Sequence, residues 1–166
     1  MSYVYVVDTN FFIQAHRVTY PLDVVPSFWN KVRKLAENGK IISIDKVKKE
    51  IFNNDDELKE WCENNLSPYF WKDSNMNSLE YLKIATWGAS QTNRYTQKAI
   101  QEFLDAEEAD AFLIAFTLAD LIHRKIVTYE RPNNKKDKIK IPDVCAVFSI
   151  LYLDPISMFR ELGETF

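Results

Sequence analysis

Four acids sit at points where a carboxylate is an odd choice for packing alone. Asp8 ends the apolar run "YVYVV", Glu50 lies in "DKVKKEIF", Asp110 precedes "AFLIAFTLA", and Glu130 ends "KIVTYE". Carboxylates brought within a few ångströms of one another repel strongly in a partly buried pocket, so such a cluster is tolerable only when protons or cations neutralise it. Oxygen donors without His or Cys suit hard ions, Mg²⁺ or Mn²⁺. Ions of that kind favour phosphodiester hydrolysis, because they stabilise charge on the attacked phosphate and on the leaving oxygen. The spacing of the acids therefore points to metal-assisted hydrolysis, provided the fold gathers them.

The elements that must do the gathering follow from the hydrophobic pattern. "YVYVV" (3–7) is a short apolar run without alternation, as a central parallel strand buried on both faces requires. "PSFWNKVRKLAENGK" reads as a helix closing near Gly39, a residue suited to a left-handed cap. "IISI" (41–44) is a second strand, and Asp45 is placed to cap the helix "KVKKEIF". Residues 56–104 read as wholly helical, with breaks at Ser67-Pro68 and between Trp87 and Asn93. "AEEADAFLIAFTLADLIH" (106–123) is a strong helix, "KIVTYE" (125–130) a strand, "RPNNKKDK" an exposed basic loop, and "ILYLD" with "PISMFREL" a last strand and helix. Alternation of this kind predicts one α/β domain over residues 1–166, with a helical elaboration at about 56–104. Parallel strands end on one edge of the sheet, where open α/β folds place their sites, and Asp8 and Glu130 both arrive there.

Composition sets further bounds. The chain has 166 residues, 46% of them hydrophobic, enough for a real core. A net charge of -3 argues against a large basic nucleic-acid surface, although bound cations can supply the attraction a nucleic-acid enzyme needs. Only three glycines occur, so the glycine-rich phosphate loops are absent. No apolar run approaches the length of a membrane helix, and no leader segment is evident, which predicts a cytoplasmic protein. Cys62 and Cys145 form no C-x-x-C pair and read as buried, reduced thiols.

The motif order resembles that of the PIN-domain family. "VVDTNFFI", Glu50 in a helix after the second strand, "ADAFLIAFTLA" and "IVTYE" follow one another as that family's motifs do, and "IKIPDVC" resembles a less characterised branch of its prokaryotic VapC-like toxins. The resemblance implies a Rossmann-like three-layer α/β/α sandwich and a Mg²⁺- or Mn²⁺-dependent endoribonuclease. It further implies the toxin of a toxin-antitoxin pair, with an RNA substrate, a small antitoxin protein as partner and a tendency to form a homodimer. Asp8, Glu50, Asp110 and Glu130 would be its catalytic, metal-binding quartet. Thr9, Asn10 and Thr128 would support them by hydrogen bonds. The family's fourth acid is commonly Asp, so Glu130 is a departure by one methylene.

Each residue also has a plainer role. Asp8 suits the cap of a helix starting at "NFFI", Glu50 a solvated helix face, and Asp110, with Glu107 and Glu108, a helix N-terminus. Asp143 after Pro142 is either a fifth site acid or a helix cap. Lys135, Lys136, Lys138 and Lys140 form the one local basic run, which is either a solvated loop or, with Lys135 and Lys136 foremost, a substrate-phosphate contact. His16 and His123 show no ligand spacing. A catalytically inactive PIN-like module that binds RNA or protein is the alternative to an enzyme. A phosphoaspartyl mechanism would need a second acid two residues after Asp8, where Asn10 stands.

Overall fold

A computed structural model describes residues 2–166. β1 (Val4–Val7) leads into α1 (Thr9–Gln14), which passes through one π turn, Ala15–Thr19, before α2 (Pro26–Glu37). β2 (Ile41–Ile44) and α3 (Asp45–Phe52) follow, then α4 (Glu57–Asn65), β3 (Trp71–Lys72), α5 (Ser78–Ala89), α6 (Gln97–Phe103) and α7 (Asp110–Leu118). β4 (Arg124–Val127), α8 (Ile141–Phe148), β5 (Tyr152–Leu153) and α9 (Pro155–Leu162) complete the chain.

All strand pairs are parallel, in the order β3-β2-β1-β4-β5. The expected α/β class with a central parallel sheet, flanked by helices in a three-layer α/β/α arrangement, is what the chain forms. β1 is central and its Tyr5, Val6 and Val7 are buried, which is why an unalternating Val/Tyr run belongs there. Connections between parallel strands cross over right-handedly as a rule, so a step to β2 on one side of β1 and a step from β4 to β5 on the other put their helices on opposite faces. Thus α2 meets α9 through Phe28 and Phe159, whose ring centroids are 6.0 Å apart, while α5 stacks on α7 through Tyr81 and Phe112 at 4.3 Å. The chain runs outward from β1 to β3 and then returns to β4. The order of strands reverses between β1 and β4, and the carboxyl ends of those two strands flank a natural crevice.

Several boundaries differ from the sequence expectation, each for a physical reason. Residues 56–104 are not wholly helical: Trp71–Lys72 adds an edge strand beside β2, with Phe70 buried and Trp71 packed on Phe12 and Phe52. Asp45 does not cap α3. It is that helix's first residue, and its carboxylate accepts bonds from the N–H and hydroxyl of Ser74 (3.0 and 2.6 Å), tying β2 to the segment after β3. The helix expected over 106–123 is confined to Asp110–Leu118, since Asp105 turns the chain before it and residues 120–123 form turns. The strand expected over 125–130 ends at Val127, leaving Thr128, Tyr129 and Glu130 beyond the ladder. Gly39 does adopt φ 69°, as a left-handed cap requires.

Candidate acidic site at the sheet edge

Asp8 follows directly from β1. Its N–H reaches Val127 O (3.2 Å), continuing the ladder by one residue, and its carboxylate then turns back to receive the N–H of Phe11 at 2.8 Å. The cap role and the edge position are therefore both real: one carboxylate oxygen starts α1 and the other is left for different work. That second oxygen, Oδ2, accepts the Thr128 hydroxyl at 2.6 Å. Thr128 Oγ1 in turn accepts the Glu130 N–H at 3.0 Å. One buried threonine thus ties the ends of β1 and β4 together and fixes the backbone from which Glu130 projects.

Glu50 reaches the same edge from α3. Thr9 donates its hydroxyl to Oε1, and the Ala109 N–H points at Oε2 from 3.5 Å. Because Ala109 is the residue before α7, Glu50 also touches the N-terminus that presents Asp110. The Glu130 side chain is only 6% exposed; its Oε2 has no hydrogen-bond donor, and Lys140 Nζ stands 3.6 Å away.

The electrostatics follow from this crowding. Burial pushes Asp8 up to about 7, against the pull of its bonds from Thr128 and Phe11, and Glu130 and Glu50 add repulsion. Burial likewise holds Asp110 well above the usual carboxylate range, with repulsion from Glu130, Asp8 and Glu50 and a partial offset from Lys138. Glu50 is raised by burial and by Glu108. Four acids from four distant segments feel one another, which is the convergence their sequence positions suggested.

Other candidates fall elsewhere. Asn10 is exposed, and among the described residues no hydrogen bond joins it to the acids. Asp143 is buried in the first turn of α8, where Arg94 lies 3.7 Å from Oδ1 while Oδ2 has no partner; it does not figure among the groups repelling Asp8 or Asp110. Lys135 and Lys136 are exposed, and the loop's contact with the acids comes instead through Lys138 and Lys140. The sequence offers all four lysines of this run and favours Lys135 and Lys136, whereas Lys138 and Lys140 are the two that stand by the acids. The signal for them was the buried Ile139 and Ile141 that alternate with them in "KIKI".

An all-oxygen donor set, a buried Glu130 oxygen without a donor and two carboxyls whose charged forms are disfavoured by burial and by neighbouring acids fit a hard divalent cation in chemistry. As the side chains stand, no three His, Cys, Asp or Glu among the described residues are grouped closely enough to hold one ion. Closing such a shell needs side-chain rotation.

The strand order and the edge acids define a parallel α/β protein with an acidic site at the reversal between β1 and β4. The chain belongs to the family described as "Domain of unknown function (DUF4411)", whose profile matches residues 5–166. No curated protein and no solved structure matches it significantly. Among the described residues, no helix is long and apolar enough to cross a membrane.

Proposed function

We propose that the protein is a PIN-like, Mg²⁺- or Mn²⁺-dependent endoribonuclease. The observation that carries this reading is the convergence of Asp8, Glu50, Asp110 and Glu130 on the edge between β1 and β4, where Asp8 and Asp110 repel one another without a lysine or arginine in salt-bridge contact. Asp8 and Asp110, with Glu130 and Glu50, would hold the cation. When bound, a divalent cation supplies charge neutralisation and Lewis acidity toward a phosphodiester.

The chain's own groups do the rest. Thr128 holds Asp8 Oδ2 in place and anchors the Glu130 backbone, so the two strand-end acids keep a fixed relation. Thr9 and the Ala109 N–H orient Glu50 across from them. Asp8, pushed up to about 7 by burial in the metal-free protein, would give up its proton as a cation is bound at neutral pH. No nucleophilic side chain and no covalent intermediate enters this scheme.

By the same resemblance the protein acts as the toxin of a toxin-antitoxin pair in the cytoplasm. The buried, unpaired thiols Cys62 and Cys145 agree with a reducing compartment. The exposed apolar residues Met76, Leu79 and Leu82 offer a protein partner, whether a small antitoxin or a second copy, a surface to cover. A second reading, an inactive PIN-like binding module, is favoured by the lack of a closed three-acid group.

One experiment separates the two readings. Purified protein incubated with labelled RNA should cleave it with Mn²⁺ and stop with a chelator, and Asp8→Asn should lose cleavage while keeping its circular dichroism spectrum. Undiminished cleavage by that variant contradicts the enzymatic site, and an inert wild-type protein that still binds RNA establishes the module.

A further inference from the structure

Resting on the ribonuclease reading, we propose that Lys138 and Lys140 are the phosphate-binding residues of the crevice, holding backbone phosphates of single-stranded RNA beside the acids. The two lysines lie on the strap that leaves Glu130 and returns to α8. Along it burial alternates: Ile139 and Ile141 are buried, whereas Lys138 is exposed and Lys140 half-buried. In an extended chain residues two apart share a face, so buried Ile139 pins the strap to the core just before α8 begins at Ile141 and leaves Lys138 and Lys140 on the other face. The strap is also clamped where the Thr96 N–H donates to Lys136 O at 2.9 Å.

Position and pairing both favour a substrate role. Lys138 lines the same cleft as Asp110 and Glu108. Lys140 Nζ stands 3.6 Å from Glu130 Oε2, beyond hydrogen-bond reach, and Lys138 has no salt bridge among the described residues. Lys138 is thus free of any ion pair among the described residues, and Lys140 makes a looser pair with Glu130 than Lys31 makes with Glu164 at 2.6 Å. A lysine ammonium is a mobile point charge that suits phosphate oxygens. A chain of net charge -3 cannot attract RNA over its whole surface, so local cations at the acids must supply the contact.

The test is the salt dependence of KM for Mn²⁺-dependent cleavage of a labelled single-stranded RNA by the full chain. Each phosphate released should change the log–log slope by about 0.7 for a single strand. The double variant Lys138→Gln/Lys140→Gln should raise KM about tenfold or more at low salt and flatten the slope by about 1.4. Lys138→Arg/Lys140→Arg should restore the wild-type slope, which a merely structural loss would not predict. Should the double Gln variant fail to fold, Lys138→Gln alone, at an exposed position, should flatten the slope by about 0.7. A Gln variant that is folded and keeps the wild-type slope overturns the proposal while leaving the nuclease reading intact. A wild-type protein that cleaves no RNA with Mn²⁺ overturns both.

Discussion

The two flanks of β1 and β4 treat carboxylates in opposite ways. Toward the start of these strands, Glu161 of α9 accepts the Tyr5 hydroxyl at 2.7 Å and the Lys125 ammonium at 3.0 Å, and those partners hold its carboxyl below the usual range. At the carboxyl ends of the same strands, Asp8 and Asp110 are buried among other acids and pushed upward. Tyr5 and Lys125 are register partners in the ladder, and three residues further along stand Asp8 and Thr128. One sheet thus carries a satisfied acid at one flank and a frustrated cluster at the other. A fold selected for stability alone pairs its acids; crowding them makes sense where a proton or cation is to be bound.

The largest expected effect comes from removing the frustrated charge. Asp8→Asn keeps the shape and the Phe11 N–H acceptor but deletes the carboxylate, and cleavage rates with Mn²⁺ should fall at least about 10³-fold. Asp110→Asn should match it. If either retains full activity, the contrast between the two flanks has no functional meaning. Thr128→Val is milder: it removes the hydroxyl donor to Asp8 and the acceptor for the Glu130 N–H, so cleavage or Mn²⁺ affinity should drop about 10- to 100-fold, as for other residues that orient ligands. An unchanged affinity in that variant would show that Thr128 only stitches the strands.

The pH dependence of stability sharpens the comparison without any substrate. The folded-state value of Asp8, about 7, lies above its ordinary 3.8, so protonated Asp8 favours folding. That stability is fully present below about pH 4 and is lost as pH rises through 7. In chelator, unfolding by denaturant should therefore show the metal-free protein losing on the order of a few kcal/mol from this group between pH 5 and pH 8. Asp8→Asn should flatten that slope, and Mn²⁺ should restore stability at pH 8. The smallest effect belongs to the satisfied flank. Glu161→Gln exchanges an exposed, paired carboxylate for an amide, so cleavage should be unaltered and stability should change by no more than about 1 kcal/mol. A large loss of activity there would erase the distinction between the flanks.

What the sequence makes legible is the part set by local pattern. A short Val/Tyr run ending in an acid locates β1 and Asp8; a glycine after an amphipathic helix locates the end of α2; the fully apolar "AFLIAF" locates the helix buried against the sheet. What it hides depends on contacts far along the chain. Asp45 has a capping residue's chemistry, yet Ser74, 29 residues on, claims its carboxylate. Trp71 and Lys72 have no strand period to announce them, because a two-residue edge strand is made by its neighbour β2 rather than by its own pattern. Asp143 is ambiguous in "IPDVC" because Pro142 prepares a helix start, and only the approach of Arg94 across the chain shows what the carboxylate faces. The lysines facing the acids are hidden for a related reason: all four in the loop look alike until the buried Ile139 fixes which side of the strap turns inward.

Isothermal titration of the metal-free protein with Mn²⁺ at pH 7 asks whether the crowded acids hold a cation. Saturable binding is predicted, with proton release as Asp8 ionises and with loss of the binding heat in Asp8→Asn and Asp110→Asn but not in Glu161→Gln. No binding heat from folded wild-type protein at millimolar Mn²⁺, or equal heat from Asp8→Asn, would contradict the account.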